Sequence, residues 1–381
     1  MIYFDNAATS LPYKEALATF LTASENNFGN SESNHAVGHK ASKALEEARL
    51  SLLNGLGIKN THNLCFTSGA TESNNLALKG VVLRYKNRGN KILVSPVEHP
   101  SVIRPLEELK NYFGFQVEYL KVDAFGRVNL DDLKSKMDKN TILVSVMAVN
   151  NELGSENDVS AIADIIHAYP KCFFHSDLTQ AMGKIILPYS KIDLFSFSSH
   201  KFGGVKGTGG LFFKKTISFV PNEAGGEQEF GCRAGTSNLA GDLATAKALE
   251  LALLNQKKTY ENVKDIYEYL RSYFLSHPED YTVHSDEVGP KQTPFVLNIG
   301  FKKKKASVVV EALSNHDIYV SSVSACSTKE LKASNTLLAC GYSEEEASNS
   351  IRISFSRDNT LEEAKTFITT LENIMKEIFD R

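Results

Sequence analysis

Between residues 40 and 215 the sequence switches repeatedly between two hydrophobic periods, and this switching restricts the fold more than any other feature. Ala41, Ala44, Leu45, Ala48 and Leu52 recur at helical spacing, and the run stops at Gly55. NLCFTSG follows as a short strand, then ATESNNLALKGVVLRYKNRG as a helix ending at Gly89. KILVS, QVEYL, TILVSVMAV, KCFFHSD and DLFSFSS are further short apolar runs, and helical stretches such as 101–113 and 159–169 separate most of them. Strands apolar along their whole length are buried on both faces, and the intervening helices supply the cover. That pattern predicts an α/β fold with a mostly parallel sheet. After about residue 255 the rhythm changes to a helix near 260–275, strand-like PFVLNIGF and SIRISFS, and a last helix from 361 towards 379. A second, smaller domain is expected there.

A chain of 381 residues has room for both. Its net charge of −3 gives no broad electrostatic reason to expect nucleic acid or an anionic membrane as partner. The four lysines 302–305 read as a solvated face. No apolar run approaches the roughly 20 residues of a membrane span, and MIYFDNAATSLPYKE lacks the build of a secretory leader. Five cysteines without regular spacing argue for thiols in a reducing compartment, hence a cytoplasmic protein. With no Cys-x-x-Cys pair or His-rich cluster, no metal site is expected.

In a parallel sheet ligands gather beyond the carboxyl ends of the strands, so the polar residues that follow each apolar run matter most. After NLCF stands Thr67-Ser68-Gly69-Ala70-Thr71, a glycine turn opening a helix, where N–H groups attract an anion. After KILVS come Glu98 and His99, and after TILVSVMAV come Asn150 and Asn151. After KCFFHS comes Asp177, then Gln180; a carboxylate at a buried strand end needs a donor or cation to meet it. After DLF comes SFSSHKFGG, where Ser198 and His200 would share one side of an extended chain and Lys201 could form a Schiff base. Taken singly, each of these reads as structure. Together they supply a phosphate cradle, an aldehyde-capturing amine and an acid for a ring nitrogen, the set that pyridoxal 5′-phosphate requires.

The same stretches carry a resemblance. YFDNAAT (3–9), FGN (28–30), FTSGATESNN (66–75), EH (98–99), VNNELG (149–154), DLTQ (177–180), SFSSHK (196–201), RAGTSN (233–238), SSVSACS (321–327) and SIRISFS (350–356) occur in order over essentially the whole chain. In them the chain closely resembles the NifS/IscS-like cysteine desulfurases, within the class V aminotransferase family of fold type I. The resemblance implies a seven-stranded-type sheet flanked by helices in a large domain, 15–255. It also implies a smaller α+β domain made of 1–14 and 256–381. It implies Lys201 as the Schiff-base lysine, Asp177 as partner of the ring nitrogen and His99 as the histidine stacked on the ring. Gln180 and Asn151 correspond to donors near the phenolic oxygen, and Ala70, Thr71, Ser198 and His200 to the phosphate site. Thr236 corresponds to a residue lent by the neighbouring subunit, which implies a homodimer. Arg352 corresponds to the grip on the substrate carboxylate, with Asn34 near the substrate loop, and Cys326 to the thiol that takes sulfur as a persulfide.

The activity so implied converts L-cysteine to L-alanine and supplies sulfur for iron–sulfur clusters, thio-cofactors or tRNA through a protein acceptor. A selenocysteine lyase or another carbon–sulfur lyase of the same fold is the first alternative, and a catalytically weak sulfur-relay subunit the second. Leu178, Val205, Glu227, Phe230 and Val323 depart from the usual pattern. Cys65 and Cys172 sit in apolar runs and are expected to be packing residues.

Overall fold

The computed structural model describes residues 1–322 and 333–379. Its strands are β1 (Ile2–Tyr3), β2 (His62–Thr67), β3 (Lys91–Val94), β4 (Gln116–Tyr119), β5 (Thr141–Ser145), β6 (Phe173–Asp177), β7 (Leu194–Ser198), β8 (Gly209–Lys214), β9 (Tyr281–Val283), β10 (Val296–Phe301), β11 (Ile318–Tyr319), β12 (Ser321–Ser322) and β13 (Ser350–Ser354). Seven of them form one mixed, mostly parallel sheet in the order β2-β8-β7-β6-β5-β3-β4. Only β8 among these runs against its neighbours, β2 and β7.

The apolar runs are buried on both sides, as their composition requires. Leu64 and Phe66 enter one core while Cys65 between them enters another. Leu93 likewise divides from Ile92 and Val94, and Phe212 from Leu211 and Phe213. Helices cover both faces. Ala36–Gly55 lays Ala41, Leu45, Ala48 and Leu52 into the first core, and Pro100–Phe113 lays Val102, Leu106 and Leu109 into the other.

β8 has no counterpart in the sequence reading, because its first two residues, Gly209 and Gly210, are glycines. The packing explains that glycine: a Cβ on Gly209 would lie 2.6 Å from the Cα of Gly69. Strand β8 can therefore reach the turn after β2 only without a side chain at this position. The helix opening at Ala70 stops at Arg84 rather than Gly89, after a widened π turn over Leu76–Gly80.

A further core joins Ile2, Phe4 and Ala7 to side chains drawn from residues 263–374. It lies on an antiparallel sheet ordered β12-β13-β10-β9, beside the parallel pair β1 and β11. The last helix, Leu361–Phe379, packs on it. No helix among the described residues is long and apolar enough to cross a membrane.

His175 in β6 has a measurable consequence for stability. It is fully buried, its Nδ1 lies 2.8 Å from the Ser145 hydroxyl, and its Nε2 has no partner among the described residues. Burial lowers its pKa to about 4 against an opposing pull from Asp177. The unfolded chain titrates near 6.5, so between pH 6.5 and 4 the unfolded state binds more protons and stability falls as the pH falls. In urea unfolding, His175→Phe is expected to flatten this acid limb by about one proton, roughly 1.4 kcal/mol per pH unit. Equal limbs in the two proteins would refute the assignment.

Candidate active site

The carboxyl ends of β2, β3, β5, β6 and β7 open on one cavity of about 480 Å³. Ala70, Thr71, His99, Asn151, Asp177, Gln180, Ser198, His200, Lys201 and Arg352 all line it. Ten of the residues expected from the sequence thus converge, across 282 positions of chain (352 − 70).

Lys201 closes a 3-10 turn, Ser199–Lys201, that follows β7 directly. Its ammonium donates to the carbonyls of Ala7 and Ala8, each at 2.7 Å. The extended geometry expected for Ser198 and His200 is therefore not what brings them together. The chain tightens at Ser199, whose backbone carbonyl accepts from Phe202 and Gly204, and both side chains still reach the cavity.

Asp177 ends β6, only 5% exposed. Its oxygens are met by the Asn74 side-chain amide at 2.8 Å and the Thr179 N–H at 2.9 Å, which offsets the cost of burying a carboxylate. Asn74 also donates to the Ser101 hydroxyl at 2.9 Å and accepts from the Ser196 hydroxyl. The Ser101 hydroxyl lies 2.8 Å from Nδ1 of His99, and the Ser101 N–H donates to the same nitrogen. Nδ1 is thus an acceptor, and in the neutral ring the proton sits on Nε2. Burial holds His99 below the usual imidazole range, with Asp177 opposing and Lys201 adding to the depression.

At the opposite wall the Ala70 N–H donates to the Ser198 hydroxyl at 2.8 Å. Gly69, with φ 153° and ψ 179°, holds the turn in a region reserved to glycine. His200 is held near pKa 4 by burial and by Lys201, Lys206 and Lys184, so it stands as a neutral ring among cations. Such a wall can hold an anion.

Arg352 on β13 is almost fully buried. It donates to the Asn151 carbonyl at 3.1 Å, to Asp5 at 3.0 Å and to the Ser321 hydroxyl at 3.3 Å, while its buried Nε has no partner among the described residues. Arg352 lines the cavity, where a guanidinium suits a carboxylate. Gln180 donates to the Ala7 carbonyl at 3.0 Å and accepts from Lys184 at 3.0 Å.

Two expected residues stand apart: Thr236 and Asn34 are exposed and do not line the cavity. Cys326, like Val323, lies outside the described residues. Leu178 is fully buried in the first core. Phe230, at φ 61°, exposes half its surface and sets its ring 5.0 Å from the Arg49 guanidinium, which forks onto buried Glu229 at 2.9 and 3.0 Å.

Sequence reasoning missed Asp5, Asn74, Ser101 and Lys184. Asn74 carried a usable signal, since it follows Ala70 by four on one helix face. Asp5 lies in the YFDNAAT stretch, but nothing local ties it to Arg352, 347 residues away.

Comparison with known proteins bears on the chain as a whole. The family pattern described as aminotransferase class-V matches residues 2–367. A protein of Lactobacillus delbrueckii subsp. bulgaricus described as a NifS/IcsS homolog is 40% identical over 98% of this chain and 97% of its own. A protein of Dictyoglomus turgidum named cysteine desulfurase IscS is 36% identical over 99% and 95%. A solved structure titled NifS-like protein superposes with a TM-score of 0.90 at 31% identity, covering 98% of this chain and 99% of its own.

Proposed function

The chain belongs to the aminotransferase class-V family, and from that membership we propose that it is a pyridoxal 5′-phosphate-dependent cysteine desulfurase. It would convert L-cysteine to L-alanine and pass the sulfur to Cys326 as a persulfide, for delivery to a protein acceptor. The observation that carries the reading is the convergence of Lys201, Asp177 and Arg352 on one cavity.

The residues fit the cofactor on their own chemistry. The glycine turn at Gly69 with Ala70, Thr71, Ser198 and His200 would hold the phosphate, and Asp177, fixed by Asn74 and Thr179, would face the ring nitrogen. His99, Gln180 and Asn151 would border the ring, and Lys201 would hold the aldehyde. When bound, pyridoxal 5′-phosphate supplies an electron-withdrawing ring next to the substrate carbon.

The protein's own groups do the remaining work. Arg352 binds the substrate carboxylate and orients the amino acid. Lys201 is the amine that would move the proton at the substrate α-carbon. The Cys326 thiolate attacks the substrate sulfur: an S–S bond forms, the C–S bond breaks with its electron pair left on carbon, and a proton completes alanine. His99 is placed to assist proton transfer through Nε2.

In the proposed division, residues 15–255 supply the cofactor site and residues 1–14 with 256–381 supply Arg352 and Cys326. A homodimer draws support from the exposed side chains of Leu11, Leu17, Leu21 and Phe28, the last 76% exposed, and from Thr236 standing away from its own cavity.

Purified protein given L-cysteine and pyridoxal 5′-phosphate should release alanine and carry a persulfide on Cys326. Sulfide release without that persulfide would turn the reading to a direct carbon–sulfur lyase. For Arg352→Lys the KM for cysteine should rise about 10- to 100-fold with kcat little changed, since a forked charge-assisted contact is lost. A change confined to kcat would deny Arg352 its binding role.

A further inference from the structure

Lys184 lies behind the cavity, 8% exposed, and the reading above gives it no task. Its ammonium donates to the side-chain oxygen of Gln180 at 3.0 Å. The Gln180 amide nitrogen donates in turn to the Ala7 carbonyl at 3.0 Å, and that carbonyl also accepts from Lys201 at 2.7 Å. One hydrogen-bonded chain therefore joins the two lysines through Gln180 and Ala7. The first link fixes the amide: its oxygen is turned back towards Lys184, and its nitrogen is presented at the Ala7 edge of the cavity.

The charges around Lys184 make its burial unusual. Buried ammonium groups normally meet a carboxylate. Lys184 has no ion pair among the described residues, and the charges facing it, Lys201 and Arg352, share its sign. The Phe295 ring, 5.7 Å away, offers only a partial offset. The wider neighbourhood holds Lys206 and the rings of His200 and His99. Its carboxylates are occupied: Asp177 by Asn74 and Thr179, Asp5 by Arg352.

We propose that Lys184 is a positioning residue, which orients the Gln180 amide and whose charge eases proton loss from the Lys201 amine. The role rests on Lys201 being the cofactor-holding group. Burial, Lys201 and Arg352 bring Lys184 itself down to about 7, so the two amines titrate as a coupled pair. Below that pH the charge on Lys184 is present and opposes protonation of Lys201. While both amines are charged each weakens the other's hold on its proton, so the first proton to leave is shared between them, and without Lys184 the Lys201 amine keeps its proton to higher pH.

The test compares full-length wild type, Lys184→Met and Lys184→Gln. Methionine is close in shape and removes both donor and charge, while glutamine keeps a donor for Gln180 and removes only the charge. The first readout is acetylation of Lys201 by dilute acetic anhydride in cofactor-free protein, followed by peptide mass from pH 6 to 10. Both variants should move the labelling midpoint up by about one pH unit, the size expected when a close like charge is removed. The second readout is retention of pyridoxal 5′-phosphate on dilution, which should fall several-fold in Lys184→Met and stay near wild type in Lys184→Gln. A wild-type labelling midpoint in both variants, with wild-type thermal midpoints showing that they fold, would overturn the role. The labelling needs no cofactor, so it is distinct from failure of the functional reading, which would appear as wild-type protein taking up no cofactor on Lys201.

Discussion

Replacing Lys201 by alanine is expected to leave a folded protein that holds no cofactor covalently and turns over cysteine about 10³-fold more slowly. The expectation follows from where the amine stands. Its ammonium donates to two backbone carbonyls, those of Ala7 and Ala8, at the edge of an open cavity. The Ala7 carbonyl keeps the Gln180 donor, and Ala8 lines the open cavity, so the cost to folding stays small. Asp177, Ser198 and His200 remain to bind the cofactor without the covalent link. The measurement is borohydride reduction followed by peptide mass. Wild type should gain the reduced cofactor on the peptide containing residue 201, and the variant should gain none anywhere. A cofactor fixed to another lysine, or near-normal alanine release, would remove Lys201 from the mechanism.

Much of this site was legible because an α/β sheet writes its functional positions at predictable places. Each apolar run that reads as a buried strand delivers its next polar residues to one edge, and by that rule Asp177, Ser198 and Lys201 fall where the cavity opens. Register is less legible. TILVSVMAV reads as one strand to residue 149, yet β5 ends at Ser145 while Val146 and Ala148 still donate to the backbone of β6, at His175 and Asp177. The apolar composition reports burial there, not ladder regularity. Strand β8 was invisible for the opposite reason, since Gly209 and Gly210 are demanded by contacts with Gly69 and Leu64 that no local pattern announces.

Pairings between distant segments were the least legible. Arg352 was assigned through resemblance, but its partner Asp5 and the Asn151 carbonyl emerge only when β13 packs beside the N-terminal strand. No motif singles out Lys184, and only the fold reveals it as buried.

For Cys326→Ser the expected result is a protein that keeps its bound cofactor and its affinity for cysteine but forms alanine about 10³-fold more slowly or worse, as when a nucleophile is removed. Sulfur transfer needs a thiolate, and a serine hydroxyl at neutral pH is a poor substitute. The four described cysteines are unsuited to the task. Cys65 and Cys172 are buried, and burial pushes both thiols well above their ordinary range. Cys232 is pushed up to about 11 and Cys340 to about 12, chiefly by burial, and none of the four lines the cavity. Thiols held protonated away from the substrate cannot rescue the variant. The matching prediction is that alanine substitutions at Cys65, Cys172, Cys232 and Cys340, made singly, leave turnover of the folded protein within about threefold, since none touches the reacting groups. Persulfide mapped by alkylation and mass should follow the same division, present on residue 326 in each of these variants and absent from Cys326→Ser. Undiminished alanine formation by Cys326→Ser would show that sulfur leaves the substrate without that thiol, and the transfer step would have to be abandoned.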